Sequence, residues 1–235
     1  MINRTQTHYK QSALYALTAT GTIVTLLCAS FFLAEPMISY GDEVAPDFRI
    51  RQTITDETSF LVYPSNVTMA GSISGVTGGN ATGTTDFVVQ SNNSTGYYVE
   101  IAFENNGTPE AMIGDNDASE ALRDYSSDVG GEPSFGFTAS TAAQFAYTVT
   151  SATIGDTDPS FHNNGAVCNN DTSETAETCW KSPATTAFRI VDRTTSAVTG
   201  ATSTIQFKVN VPSGALPVPT AQTYTATATL SLFAQ

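Results

Sequence analysis

Few residues in this chain have the type and spacing that catalysis needs. It holds two histidines, His8 in a short basic N-terminal stretch and His162 in Asp158-Pro159-Ser160-Phe161-His162. His162 is the one imidazole outside that stretch, but no nearby serine lies in the glycine-flanked turn that exposes a hydrolase nucleophile. It therefore reads as a solvated loop histidine, and no catalytic residue is assigned. Glycosidase-type carboxylate pairs meet in space, not in sequence. With 22 Asp and Glu in the chain, their spacing carries no information.

Metal chemistry has one candidate. Asp115-Asn116-Asp117-Ala118-Ser119-Glu120 sets oxygen ligands at alternate positions, as a calcium loop begins. The sixth position is Glu120 where an EF-hand needs glycine, and the twelfth is Ser126 where it needs an acid. That excludes an EF-hand. An irregular surface calcium site drawing on Asp115, Asp117, Asp124 or Asp128 stands against a plain solvated acidic loop, and no other cofactor is expected.

The three cysteines divide by position. Cys28 lies in an uncharged N-terminal run. Cys168 and Cys179 stand apart from it in an acidic, loop-like stretch, and an isolated pair in an oxidising compartment is expected to be joined. Such a bridge restricts the unfolded loop and is worth about 2–3 kcal/mol. Zinc is poorly supported, since His162 is the only histidine nearby. Trp180, the only tryptophan, follows Cys179 and is expected to pack on the bridge or the sheet beneath it. Asn66, Asn80, Asn93, Asn106 and Asn170 each begin a glycosylation sequon, a pattern that composition alone supplies in a chain so rich in Asn and Thr.

The elements that must position these residues read as strands. In residues 205–211 the apolar side chains alternate with Gln206, Lys208 and Asn210. In residues 223–232 Tyr224, Ala226, Ala228, Leu230 and Leu232 alternate with threonines and a serine. A period of two is the strand period, and the last strand is expected to bury its apolar face in the core. Earlier strands are expected at Phe48/Ile50/Ile54, residues 59–63, 67–73, 85–89 and 97–103. Later ones are expected at Phe135/Phe137, Phe145/Tyr147/Val149 and residues 187–191. Gly78-Gly79-Asn80 and Gly83 read as a turn, as do Asn92-Asn93 and Asn106-Gly107. Residues 105–132 and 151–183 read as long insertions, the first with a short helix over residues 118–124. Nine or ten strands with two insertions predict an all-β, antiparallel immunoglobulin-like β-sandwich preceded by one N-terminal hydrophobic helix.

That helix is expected over residues 12–34, which carry no charge and are long enough to span a bilayer. Arg4 and Lys10 precede it and acids follow, which places the N-terminus inside and the bulk of the chain outside. Residues 1–41 are thus either a signal peptide cut near Gly41 or an uncut anchor, and residues 42–235 form the exported domain. The chain has 9 Lys and Arg against 22 Asp and Glu, net −13. So acidic a surface repels phosphate backbones, and no nucleic-acid partner is expected.

Residues 53–62 and 67–73, then 78–84, 94–97 and 145–149, and finally Cys168, Cys179-Trp180 and residues 223–230 together resemble a recurring module. It occurs in uncharacterised exported β-sandwich proteins of ultra-small candidate-phylum bacteria. The resemblance implies a surface β-sandwich and no known activity. The closing Tyr-Thr-Ala-Thr-Ala-Thr run is also similar to the last strand of spore-coat-U-like and pilin-like domains. The expected function is an exported or cell-surface structural or adhesive protein. A pilin-like polymerising subunit whose N-terminal segment complements a neighbour's sheet is the first alternative, and an extracellular carbohydrate-binding or hydrolytic domain the second.

Overall fold

In the computed structural model the described residues are 15, 18, 20–26, 49–105, 108–126, 133–170, 173–174 and 178–235. The chain divides into two compact units, Met1–Thr53 and Ile54–Gln235. In the first, residues 20–26 are helical, and Thr22 and Thr25 donate their hydroxyls to the carbonyls of Thr18 (2.9 Å) and Gly21 (2.7 Å). Among the described residues no helix is long and apolar enough to cross a membrane. Much of the expected span 12–34 lies outside the described residues.

The second unit is mostly β. Its strands are β1 (Thr58–Val62), β2 (Ala70–Ser74), β3 (Gly78–Ser91), β4 (Tyr97–Phe103), β5 (Met112–Gly114), β6 (Ala121–Asp124), β7 (Ser134–Phe135), β8 (Gln144–Ser151), β9 (Cys179–Trp180), β10 (Phe188–Arg193), β11 (Ala197–Val211), β12 (Tyr224–Thr225) and β13 (Ala228–Ala234). The larger sheet runs β1-β3-β11-β8-β6-β5-β12, with β2 also paired to β3. A three-stranded sheet runs β10-β4-β13, and β7 pairs with β9. All these pairings are antiparallel except β6 with β8. The sheets are therefore antiparallel and mixed.

Period-two patterning explains the core. Along β4 every odd residue, Tyr97, Val99, Ile101 and Phe103, is buried and every even one is half-buried. β11 turns Ile205 and Val209 to the same interior, opposite Val149 and Phe145 of β8. With Phe87, Val89 and Ile190 these residues form one apolar cluster shared by both sheets, each large side chain contributing about 1.5–3 kcal/mol on burial. β8 is buried on both faces. Its Ala146 joins Tyr125, Phe137 and Trp180 in a second, smaller cluster on the sheet's other side.

Several expectations need correction. The Gly78–Gly83 stretch is not a turn but the start of β3, the 14-residue strand that pairs with β1, β2 and β11. Its glycines serve close approach: a Cβ on Gly79 would meet the Ser72 carbonyl oxygen at 2.3 Å, and one on Gly71 the Asn80 carbonyl oxygen at 2.3 Å. Residues 118–124 are a turn and strand β6, because their small apolar face gains more by pairing with β5 and β8. Residues 49–57 form no strand, and Ile50 and Ile54 are 86% and 81% exposed. Phe48 and the Asn106-Gly107 turn lie outside the described residues. The expected last strand is two pieces, with β12 in the larger sheet and β13 at the edge of the smaller one, where its inward face is only partly buried.

Candidate functional site

The Cys168–Cys179 disulfide forms, as the sequence predicts. Cys179 lies in β9, opposite Phe135 of β7, and Trp180 beside it is fully buried. The Lys208 ammonium stands 5.3 Å from the Trp180 ring and 5.4 Å from that of Phe137, and donates to the Phe137 carbonyl at 3.3 Å. Trp180 is thus a packing residue under the bridge-bearing segment.

The residues singled out for chemistry are dispersed. Asp115 and Asp117 lie in the turn between β5 and β6, whereas Asp124 lies at the far end of that hairpin, where it accepts from the Ala111 amide at 2.9 Å. Asp117 accepts from the Ser119 hydroxyl (2.7 Å) and amide (2.9 Å), and those bonds hold its carboxyl below its ordinary pKa. Asp128 lies outside the described residues. No three of His, Cys, Asp and Glu converge on a metal position among the described residues. His162 is buried rather than solvated, because the Pro159–Phe161 turn packs it inward with Nε2 3.1 Å from the Ile154 carbonyl oxygen.

Nearby stands a partly buried ion pair missed by the sequence reading. Arg193 donates to Asp156 and, through Nη2, to the Ser196 carbonyl at 3.0 Å. Burial pushes the neighbouring Tyr97 phenol up to about 12, with the Asp156 charge adding to the effect. Glu174 accepts from the Ser151 amide at 2.9 Å, and burial pushes its carboxyl above the ordinary value. Its Oε2 is buried with no hydrogen-bond partner among the described residues. Each of these groups is engaged in holding loops to the sheets.

A cleft of about 970 Å³ lies between the inner faces of the two sheets, next to β13. Its floor is apolar: Ile101 and Phe103 on β4, Phe207 and Val209 on β11, Met112 on β5 and Leu122 on β6. One wall is residues 64–69, held by the Ser65 amide donating to Thr85 Oγ1 at 2.8 Å. The other is residues 219–226 with Ala228 and Leu230 of β13. Gln222 fixes that wall, its Oε1 accepting from the Asn116 and Asp117 amides at 3.0 and 3.1 Å. None of the lining residues carries a charge. Its polar lining groups are the hydroxyls and amides of residues such as Ser65, Asn66, Thr85, Gln222 and Tyr224. Sequence reading missed it because alternation assigns faces, not gaps. The strand pattern at Ile50 and Ile54 is taken up by no strand among the described residues. The chain matches no protein-family model, and no curated protein matches it in sequence.

Proposed function

We propose that this chain is an exported cell-surface or secreted protein with a structural or adhesive role, built as an immunoglobulin-like β-sandwich with long loop insertions. The observation that carries the reading is how its reactive side chains are used. Cys168 is bridged to Cys179, Asp156 is paired with Arg193, and the cleft beside β13 is lined without a charge. Buried groups spent on holding loops favour a scaffold, and the disulfide accords with an oxidising compartment. The basic N-terminus followed by an uncharged run supports export. Protease added to intact cells tests this. Digestion of residues 42–235 is expected, and complete protection there rejects it.

One observation favours the polymerising variant of this reading. β13 is hydrogen-bonded to β4 alone among the described strands, and Ala228 and Leu230 on its inward face line the cleft. An unpaired edge beside an apolar trough is the geometry by which a sheet accepts an added strand.

A further inference from the structure

We infer that the cleft beside β13 receives residues 49–54 of a second copy of this chain as an added strand. This rests on the polymerising reading above and names the segment, the acceptor face and the direction of growth.

The segment has a strand's pattern and no place in the fold. Ile50, Gln52 and Ile54 fall on one side of an extended chain, and Arg49, Arg51 and Thr53 on the other. Residues 49–57 join no strand, and the two isoleucines are left 86% and 81% exposed. Six extended residues cover about 20 Å, the scale of the β13 edge and the wall before it. With the isoleucine side turned inward, apolar groups meet the Ile101, Phe103 and Leu230 surfaces and both arginines stay in solvent.

Charge fits the same pairing. From Ile54 onward the only basic residues are Arg123, Lys181, Arg189, Arg193 and Lys208, set against most of the chain's 22 acids. A segment with two adjacent-but-one arginines is drawn toward such a body. A free carboxylate- or phosphate-bearing ligand would instead meet an uncharged trough within an acidic surface.

The donor belongs to another copy because of where the chain emerges. Residues 55 and 57 are tied to Asn92, whose Nδ2 donates to the Thr55 carbonyl (3.1 Å) and whose Oδ1 accepts from the Glu57 amide (2.6 Å). At that same end β13 terminates, Asn93 Nδ2 donating to the Gln235 carbonyl at 2.6 Å. The cleft lies toward the other end, between residues 64–75 and 219–226. A donor leaving one end and an acceptor opening toward the other make a heterologous, head-to-tail contact, which repeats without closing.

Disulfide trapping in the full chain carrying Cys28→Ser tests this, with Cys168 and Cys179 left in place. Ile50→Cys combined with Ala228→Cys, or with Tyr224→Cys to cover both strand directions, should give a ladder of multimers on a non-reducing gel that collapses on reduction. Ile50→Cys with Thr229→Cys, on the opposite face of β13, should remain monomeric. Buried Trp180 emission confirms that each variant is folded. Monomer in all variants, equal trapping of both faces, or a bridge confined within single chains would each overturn the inference. Multimers that persist in a folded Ile50→Asp/Ile54→Asp variant would also overturn it. None of these results touches the surface reading, which falls only on protease protection in intact cells.

Discussion

Leu230 on β13 lies directly opposite Ile101 on β4, yet the two do not share burial: Ile101 is 1% exposed, whereas Leu230 is only half-buried against the same core. Ile101 sits on a central strand, flanked by β10 and β13. Leu230 sits on the edge, with the open cleft before it. The C-terminal strand is therefore an edge strand whose apolar face is unfinished.

Leu230→Asp should cost about 1–3 kcal/mol, less than at a sealed core site, because part of the new carboxylate reaches solvent in the cleft. Thr229→Asp, exposed on the other face, should change stability by no more than about 0.5 kcal/mol. Thermal melts of the pair decide this. Equal losses would show that both faces of β13 are covered.

The alternation over residues 97–103 was legible in the sequence because that strand has one buried and one more exposed side. Over 205–211 it was legible because apolar and polar types alternate, although Asn210 on the polar side is buried as well. Residues 144–151 were legible on one face only, since nothing in the pattern shows that Trp180 will return to cover Ala146. The helix expected at 118–124 failed because local propensity is weak where two neighbouring strands offer hydrogen bonds. The Cys168–Cys179 pairing followed from cysteine count and the export signal. The dispersal of Asp115, Asp117 and Asp124 depends on a hairpin that those acidic residues do not announce.

Asn93→Ala should lower stability by about 1–3 kcal/mol, since the three hydrogen bonds of its side chain are lost at once. Asn93 Oδ1 accepts from the Thr95 amide and hydroxyl at 3.0 and 2.7 Å, and Nδ2 holds the Gln235 carbonyl. The loss should appear in urea denaturation as a lower midpoint with an unchanged slope. An unchanged midpoint would mean that the C-terminus is not held there.

Reduction of the Cys168–Cys179 bridge should lower stability by about 2–3 kcal/mol and expose the Trp180 cluster before the main core melts. Tryptophan emission and far-ultraviolet dichroism, followed together with and without reductant, test it. The expected result is that emission shifts first in the reduced protein. Coincident transitions would show that the two clusters melt as one.

Glu174 gives a pH prediction. Burial raises its folded-state pKa above the ordinary value of 4.5, so the native state binds more protons than the unfolded one through that range. Stability contributed by the protonated form is full below the ordinary value and is lost as pH rises through the folded pKa. Glu174→Gln should remove that dependence and raise Tm relative to wild type at neutral pH, with the gap closing under acid. A gap that widens as pH falls would contradict the assignment.

The central claim is that the free edge of β13 is the acceptor for a second copy. Hydrogen–deuterium exchange of the full chain, in dilute and concentrated solution, measures that edge directly. The account predicts that peptides covering residues 224–234 become slow to exchange as concentration rises, together with residues 49–54 and no other exposed segment. The same peptides should stay fast at every concentration in the folded Ile50→Asp/Ile54→Asp variant. Exchange over 224–234 that is independent of concentration, or slowed equally in the variant, would contradict it.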